Sequence, residues 1–343
     1  MKRLNNTLYV TSPDAYLSLD GENVVVLKGD KTLGRVPMIN LQGVVSFGYR
    51  GVSPALMGAC AEKGIDLCFL TPHGRFLSRV VGPVHGNVLL RKAQQAWAVD
   101  PARAHPVARM FLTGKIYNAR WCLERVLRDH GVRVDRAAIT SAIDEMKGVL
   151  STLGAADSID ALMGLEGIAA KAYFGAFNEM ILRDEVAFQF DGRNRRPPMD
   201  RVNALLSFAY ALLGNEVASA LESVGLDPYV GFLHQLRPGR ASLAQDLLEE
   251  LRAPVADRFV LTQINLGAVA ADDFQRKENG AYYLRDDARK RFLAAWQVRK
   301  QEGLTHPFLK EKLPWGLVPY AQAMLLARHL RGDLDAYPPF LWK

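Results

Sequence analysis

The hydrophobic pattern of the chain changes rhythm once. From residue 1 to about residue 80, apolar positions come in short runs rich in β-branched and aromatic side chains: NTLYVTS, AYLSLDGENVVVLKG, TLGRVPMINLQGVVSFG, IDLCFLT and GRFLSRVVG. DGEN and KGDK separate them as turns, so the runs predict strands. One helix is expected among them at SPALMGACAEKG, where Ser53 caps the first turn, Pro54 suits the first helical position and Gly64 suits the stop. From NVLLRKAQQAW onward the period becomes helical, with Leu89, Ala93, Ala96 and Trp97 recurring near helical spacing, and PVARMFLTGKIYNARWCLERVLRDH continues it. His105 before Pro106 reads as an element boundary and His130 before Gly131 as a helix end. Further helices are expected in RAAITSAIDEMKGVLST, in VNALLSFAYALLGNEVASALESVG, in YYLRDDARKRFLAAW and in VPYAQAMLLARHL. The expected fold is α+β: an N-terminal mostly β domain over residues 1–85, then a larger all-α domain over residues 86–343, the first long helix acting as the joint.

Composition supports this without redirecting it. A chain of 343 residues with 49% hydrophobic positions can fill the cores of two domains. Cys60, Cys68 and Cys122 form no CxxC pair and sit in apolar surroundings, which fits buried thiols in a reducing compartment. MKRLNNTLYVTSPDAYLSL lacks the apolar core of a signal peptide, and no later run is read as approaching the roughly 20 apolar residues of a membrane span. The expectation is a soluble intracellular protein with no membrane segment.

Charge adds a partner class. A formal net charge of +7 admits a polyanion and leaves open which surface would meet it. The DNA-contact candidates are Arg75 and Arg79, placed to leave one strand face, the loop arginines Arg193, Arg195 and Arg196, and Arg285, Arg289 and Lys290 around a later helix. Simple solvation accounts for each of them as well. His73 and His85, beside glycines, read as structural or solvated.

The candidate chemistry lies in the middle of the chain. Glu166, Ala170, Tyr173 and Phe177 step by 4, 3 and 4 and so occupy one helix side, where small and aromatic neighbours thin the water around Glu166. A carboxylate so placed needs a hydrogen bond, a cation or a metal, and for Glu166 alone a structural salt bridge suffices. Further on, Ser242 and Gln245 fit a capping box that opens a helix with Leu243, Leu247 and Leu251 as its packing stripe. Asp246 shares a face with either Glu249 or Glu250. Neighbouring carboxylates repel unless something positive compensates, and His234 adds a neutral nitrogen donor. Glu, His and a second acid suit Mg²⁺ or Mn²⁺, Mn²⁺ being more tolerant of imidazole. No H-E-x-x-H pattern supports zinc.

LEGIAAKAYFGAF, FLHQLRPGRASLAQDLLEELRAPVADRFV and YYLRDDARKRFLAAW, in that order, resemble the CRISPR-associated integrase family of spacer acquisition. VSPALMGACAEKGIDLCFLTPHGRFLSRV is similar to that family's first domain, so the resemblance covers essentially the whole chain and is nearest to the type I form, subtype I-C. It implies homodimers bridged by a small CRISPR-associated ferredoxin-like dimer. It also implies metal-dependent transesterification joining the 3′-OH ends of a short protospacer duplex to CRISPR repeat ends. The resemblance carries catalytic and metal-ligand roles onto Glu166 of the E-x-x-A-A-x-x-Y motif, His234, and Glu249 of the D-L-x-E motif, with Asp246 alongside as a less certain metal ligand. A metal-dependent endonuclease hydrolysing branched DNA uses the same chemistry with water. A structural DNA-binding module without catalysis is the reading of another class.

Overall fold

The computed structural model describes residues 5–72, 74–82, 88–183, 186–194 and 197–343. Arg195, Arg196, His73 and His85 lie outside the described residues. The chain forms two compact units, one of residues 1–85 with 284–302 and one of residues 86–283 with 303–343.

The first unit begins with β1 (Asn6–Val10), β2 (Tyr16–Asp20), β3 (Asn23–Lys28), β4 (Lys31–Pro37) and β5 (Leu41–Phe47). Helix α1 (Pro54–Lys63), β6 (Asp66–Leu70) and β7 (Phe76–Val80) follow. β2, β3 and β4 form an antiparallel meander, while β1, β5 and β6 pair in parallel and β7 closes that sheet antiparallel to β6. Leu17, Val24, Val44, Leu56, Cys60 and Leu67 bury a common core between these elements. The local signals for α1 are met in the structure: Ser53 Oγ accepts from Leu56 N, Pro54 opens the helix, and Gly64 ends it in the left-handed region.

The second unit is helical: α2 (Val88–Ala98), α3 (Pro101–His130), α4 (Arg136–Thr152), α5 (Ile159–Gly175), α6 (Arg201–Ser223), α7 (Ser242–Leu251) and α8 (Arg258–Asn265). A short hairpin, β8 (Phe274–Arg276) with β9 (Tyr282–Leu284), precedes α9 (Asp286–Gln301). A second hairpin, β10 (Gly303–Thr305) with β11 (Lys312–Pro314), precedes α10 (Val318–Leu330). Helix α9 is part of the first unit, where Gln297 Nε2 donates to Thr7 O at 2.6 Å and Arg289 donates to Pro72 O. An N-terminal β-rich region followed by a larger helical one is the α+β architecture expected from the pattern.

Three local expectations are corrected. His105 does not mark a boundary, because Pro106 lies inside α3; Asp100 caps that helix and Pro101 occupies its first turn. Ser242 is not the cap of α7: Ala241 holds that position, and the Ser242 hydroxyl donates to Gln235 O. Helix α6 does reach the length and apolarity of a membrane span, yet 61% of its most apolar window is buried inside the protein, against α7, α8 and α10.

Candidate functional site

Helix α3 packs against α4, α5 and α7 and thereby brings two acidic helices to its flanks. α5 starts cleanly because Ser158 Oγ accepts from Ala161 N and Asp160 sits in its positive first turn. It presents Glu166 to a cavity of about 550 Å³, whereas Phe177, expected on the same helix face, lies in a 3₁₀ turn beyond its end. α7 runs directly into a π-helical turn over Arg252–Asp257, which contains Pro254. Proline has no N–H to donate and crowds the preceding turn, so a widened turn relieves what a regular one would strain. Residues at both ends of that turn, Arg252 and Asp257, line the cavity.

Glu166 and Glu249 meet at one cation. Lys115 of α3 pairs with Glu166 Oε1, and its Nζ lies 2.7 Å from Glu249 Oε2. Arg252 Nη1 donates to Glu249 Oε1 at 2.6 Å while Nη2 donates to Gln245 Oε1 at 3.1 Å. Burial would raise the Glu249 carboxyl, but the Arg252 and Lys115 charges, with His234 nearby, outweigh it and hold that carboxyl at about 2. Glu249 is therefore an anion at neutral pH although it is only 5% exposed.

His234 completes the cluster from the loop between α6 and α7. Its Nε2 lies 4.0 Å from Glu249 Oε1, and its Nδ1 lies 2.6 Å from Asp246 Oδ1. An ionised carboxylate only accepts, so an imidazole proton belongs on Nδ1, and Nε2 is the ring nitrogen turned toward Glu249. Asp246 also accepts from the backbone N–H groups of Phe232, Leu233 and His234 and is fully buried. With both oxygens committed, Asp246 orients the histidine and fixes the loop rather than facing the cavity. The other end of that loop is held by the buried Gln94 side chain, which donates to Asp227 O and Val230 O. A glycine is required between them: a Cβ on Gly231 would stand 2.8 Å from both Asp246 Oδ2 and Ser242 Cβ. Glu250 points the other way, into Tyr337, Gln322 and the Phe340 N–H.

Two carboxylates and one imidazole nitrogen are a donor set suited to Mg²⁺ or Mn²⁺. Glu249 Oε2 is buried against the Lys115 ammonium, so an ion would take this oxygen in place of Lys115. Among the described residues no three His, Cys, Asp or Glu side chains are drawn together tightly enough to hold a metal as they stand, and Lys115 lies between the two glutamates.

Deeper in the cavity Asp257 accepts from the Tyr173 and Tyr210 hydroxyls at 2.9 and 2.5 Å. Arg193 and Arg252 both stack on the Tyr210 ring, at 5.2 and 5.4 Å from its centre. Of the DNA-contact candidates, Arg193 thus lines the site cavity, though it also donates to Asn203 and Ser207. Arg75 stands in the turn before β7 and Arg79 within that strand. Arg285 and Lys290 are exposed at the start of α9. Arg289 is 2% exposed and spends its guanidinium on Pro72 O, Asp286 and the Phe47 ring, so it is a core cation and not a surface contact. Sequence reasoning missed Lys115, Tyr210, Arg252 and Asp257. For Arg252 the spacing to Glu249 was a usable signal; for Lys115 no local signal exists.

The chain matches known proteins over its length. A relative named CRISPR-associated endonuclease Cas1 1, from Chlorobaculum tepidum, is 50% identical over 343 residues, covering 100% of both chains. One named CRISPR-associated endonuclease Cas1 2, from Rhodospirillum rubrum, is 52% identical over 347 residues with the same coverage. Among solved structures, a casposase bound to integration product superposes with a TM-score of 0.84 at 21% identity, covering 98% of this chain and 94% of that one, a likeness of fold. A Cas6-RT-Cas1–Cas2 complex gives 0.83 at 25% identity, covering 100% of this chain and 36% of that longer one. The family described as CRISPR associated protein Cas1 matches residues 8–298, and the chain belongs to that family.

Proposed function

We propose that this Cas1-family protein is a metal-dependent DNA integrase of CRISPR spacer acquisition, with Glu166, His234 and Glu249 as its metal ligands and catalytic centre. The observation that carries the reading is that α5 and α7 bring Glu166 and Glu249 to one cation, Lys115, while the His234 loop sets Nε2 4.0 Å from the other oxygen of Glu249. Family membership supports the enzymatic class, since the relatives are named endonucleases and the fold is shared with a casposase bound to integration product.

A bound Mg²⁺ or Mn²⁺ supplies a Lewis acid for the phosphodiester and for the oxygen that leaves it. The protein's own residues do the rest. Asp246 keeps the Nδ1–H tautomer and aims Nε2. Arg252 fixes the Glu249 rotamer through a hydrogen bond that Gln245 reinforces. Arg193, Lys115 and Arg252 line the cavity beside its carboxylates and are the cations there that a DNA phosphate can meet. Arg285 and Lys290, exposed on the first unit, are DNA-contact candidates in their own right. The partners are duplex DNA and a small ferredoxin-like Cas2-type dimer, a reading supported by the Cas1–Cas2 neighbour, with two homodimers of this chain bridged by it. We assign the chain to the type I form, subtype I-C-like, on its middle motifs, and to the prokaryotic cytoplasm, where arrays are copied.

The test combines the protein, its small partner, a short duplex with 3′-OH ends, a repeat-bearing supercoiled plasmid and Mn²⁺. Joined products are expected, and a dideoxy 3′ end, Glu166→Ala, His234→Ala or a chelator should each abolish them. His234→Ala joining DNA at the wild-type rate would sink the assignment. The relatives are named endonucleases, which favours a second reading, hydrolysis in place of joining at the same centre, with branched DNA as the expected substrate. Predominance of cut over joined product on the same plasmid would select it. Wild-type function in Glu166→Ala, with loss in Arg285→Ala, would instead mark a non-catalytic DNA-binding module.

A further inference from the structure

Lys115 touches both carboxylates of the proposed centre and is itself only 16% exposed. Its backbone is held close to α7, because the preceding residue is Gly114, where a Cβ would stand 2.8 Å from Glu250 Cβ. The ammonium therefore reaches Glu166 and Glu249 from a fixed base, on a flexible four-carbon stem that lines the cavity. Arg252 differs: its planar guanidinium is tied to Glu249 and Gln245 together and is not easily moved.

A divalent ion taking oxygens from Glu166 and Glu249 needs the position that the Lys115 ammonium holds. Two cations a few ångströms apart in a poorly hydrated site repel strongly. We propose that Lys115 is a displaceable counter-cation. It pairs the two glutamates, competes with the divalent ion for them, and on displacement turns into the cavity to meet a DNA phosphate. This rests on the reading of Glu166 and Glu249 as metal ligands. Lys115 is a positioning residue in this scheme, and it makes metal and DNA bind cooperatively: a phosphate that draws the ammonium off the carboxylates frees them for the ion, and linkage makes the effect reciprocal.

The experiment is a Mn²⁺ titration of the full chain, with free aquo-Mn²⁺ followed by electron paramagnetic resonance, with and without a short 3′-OH duplex. Without DNA, Lys115→Met is expected to bind Mn²⁺ about tenfold more tightly than wild type, which corresponds to about 1.4 kcal/mol. It should also lose most of the tightening that DNA produces in wild type. Lys115→Gln, neutral but still a donor, should shift the same way, so a folding failure of one variant leaves the other to decide; circular dichroism and melting verify the fold. Unchanged or weaker Mn²⁺ binding in the folded neutral variants overturns the proposal. Glu249→Gln separates the two layers: if it leaves Mn²⁺ affinity at the wild-type value, the metal centre itself is misassigned. If it weakens binding while the Lys115 variants do nothing, only the counter-cation role fails.

Discussion

Replacing Asp246 tests the link between loop, histidine and metal most directly. Its two oxygens accept from three backbone N–H groups, at 2.7 Å from Phe232, 3.0 Å from Leu233 and 2.9 Å from His234, besides the His234 ring. Asp246→Ala leaves these donors unpaired around Phe232 and Leu233, which are 4% and 2% exposed, so water does not readily replace the carboxylate. At about 1–3 kcal/mol for each unsatisfied buried group, with partial relaxation of the loop, the expected cost is about 3–5 kcal/mol. For a unit of this size that is a fall in Tm of about 10 °C. Asp246→Asn separates stability from chemistry. Its single amide oxygen can serve Phe232 and Leu233, but its NH₂ then faces the His234 backbone N–H, which loses its acceptor, and His234 Nδ1, which must become an acceptor and move the ring proton to Nε2. The asparagine variant is thus expected to lose about 1–3 kcal/mol and nearly all Mn²⁺ binding. Thermal melts and Mn²⁺ titrations of the two variants provide the check. An alanine variant melting within about 1 kcal/mol of wild type, or an asparagine variant with wild-type Mn²⁺ affinity, would refute the reasoning.

The remaining predictions address the supports of the same site. Gly231→Ala drives a methyl group into Asp246 Oδ2 and Ser242, so it should cost about 1–3 kcal/mol and weaken Mn²⁺ binding together, read by melting and titration. Burial pushes Asp257 from its ordinary 3.8 up to about 6, against the hydrogen bonds of Tyr210 and Tyr173 and the charges of Arg193 and Arg252. Its proton is thus held more tightly in the folded chain, and its contribution to stability is fully present below about 3.8 and lost as pH rises through 6. Urea midpoints of Asp257→Asn should therefore vary less than those of wild type across that window, and an identical slope would count against it. Truncation after Ala336 removes Tyr337 and Phe340, 1% and 0% exposed, and strips Glu250 and Asn118 of partners. A loss of about 4 kcal/mol or more is expected from the two buried rings alone, and an unchanged Tm would show that the tail is not docked.

The parts of this molecule that were legible in its sequence obey local rules. Ser53, Pro54 and Gly64 define α1 because capping, proline geometry and a left-handed stop act within a few residues. Pro106 misled for the same reason: the local rule ends a helix there, but a 30-residue helix that Asp100 caps survives one missing hydrogen bond. The contacts that join distant segments left no such trace. α9 packs with the first unit through Gln297, Lys300 and Arg289, and a basic helix of this pattern reads as solvated until those partners are seen. Lys115 reads as one more lysine on a long helix, since Glu166 is 51 residues away.

Glu249 and Glu250 show why helical periodicity could not finish the site. Both stand within reach of Asp246 by spacing, and both are buried, at 5% and 0% exposure. Burial raises each carboxyl, and the partners of each then decide where it titrates. Glu249 meets Arg252 and Lys115, and their charges hold it at about 2. Glu250 meets the neutral donors Tyr337, Gln322 and the Phe340 N–H, which offset burial only in part, and it rises to about 7. Near neutral pH the first is a full anion beside His234, and the second shares its proton with the solution while anchoring the C-terminal tail. Two adjacent residues of one type are thus separated by the charge of the groups packed on either side of α7. The side facing cations is the one from which a divalent ion can take an oxygen, once Lys115 yields it.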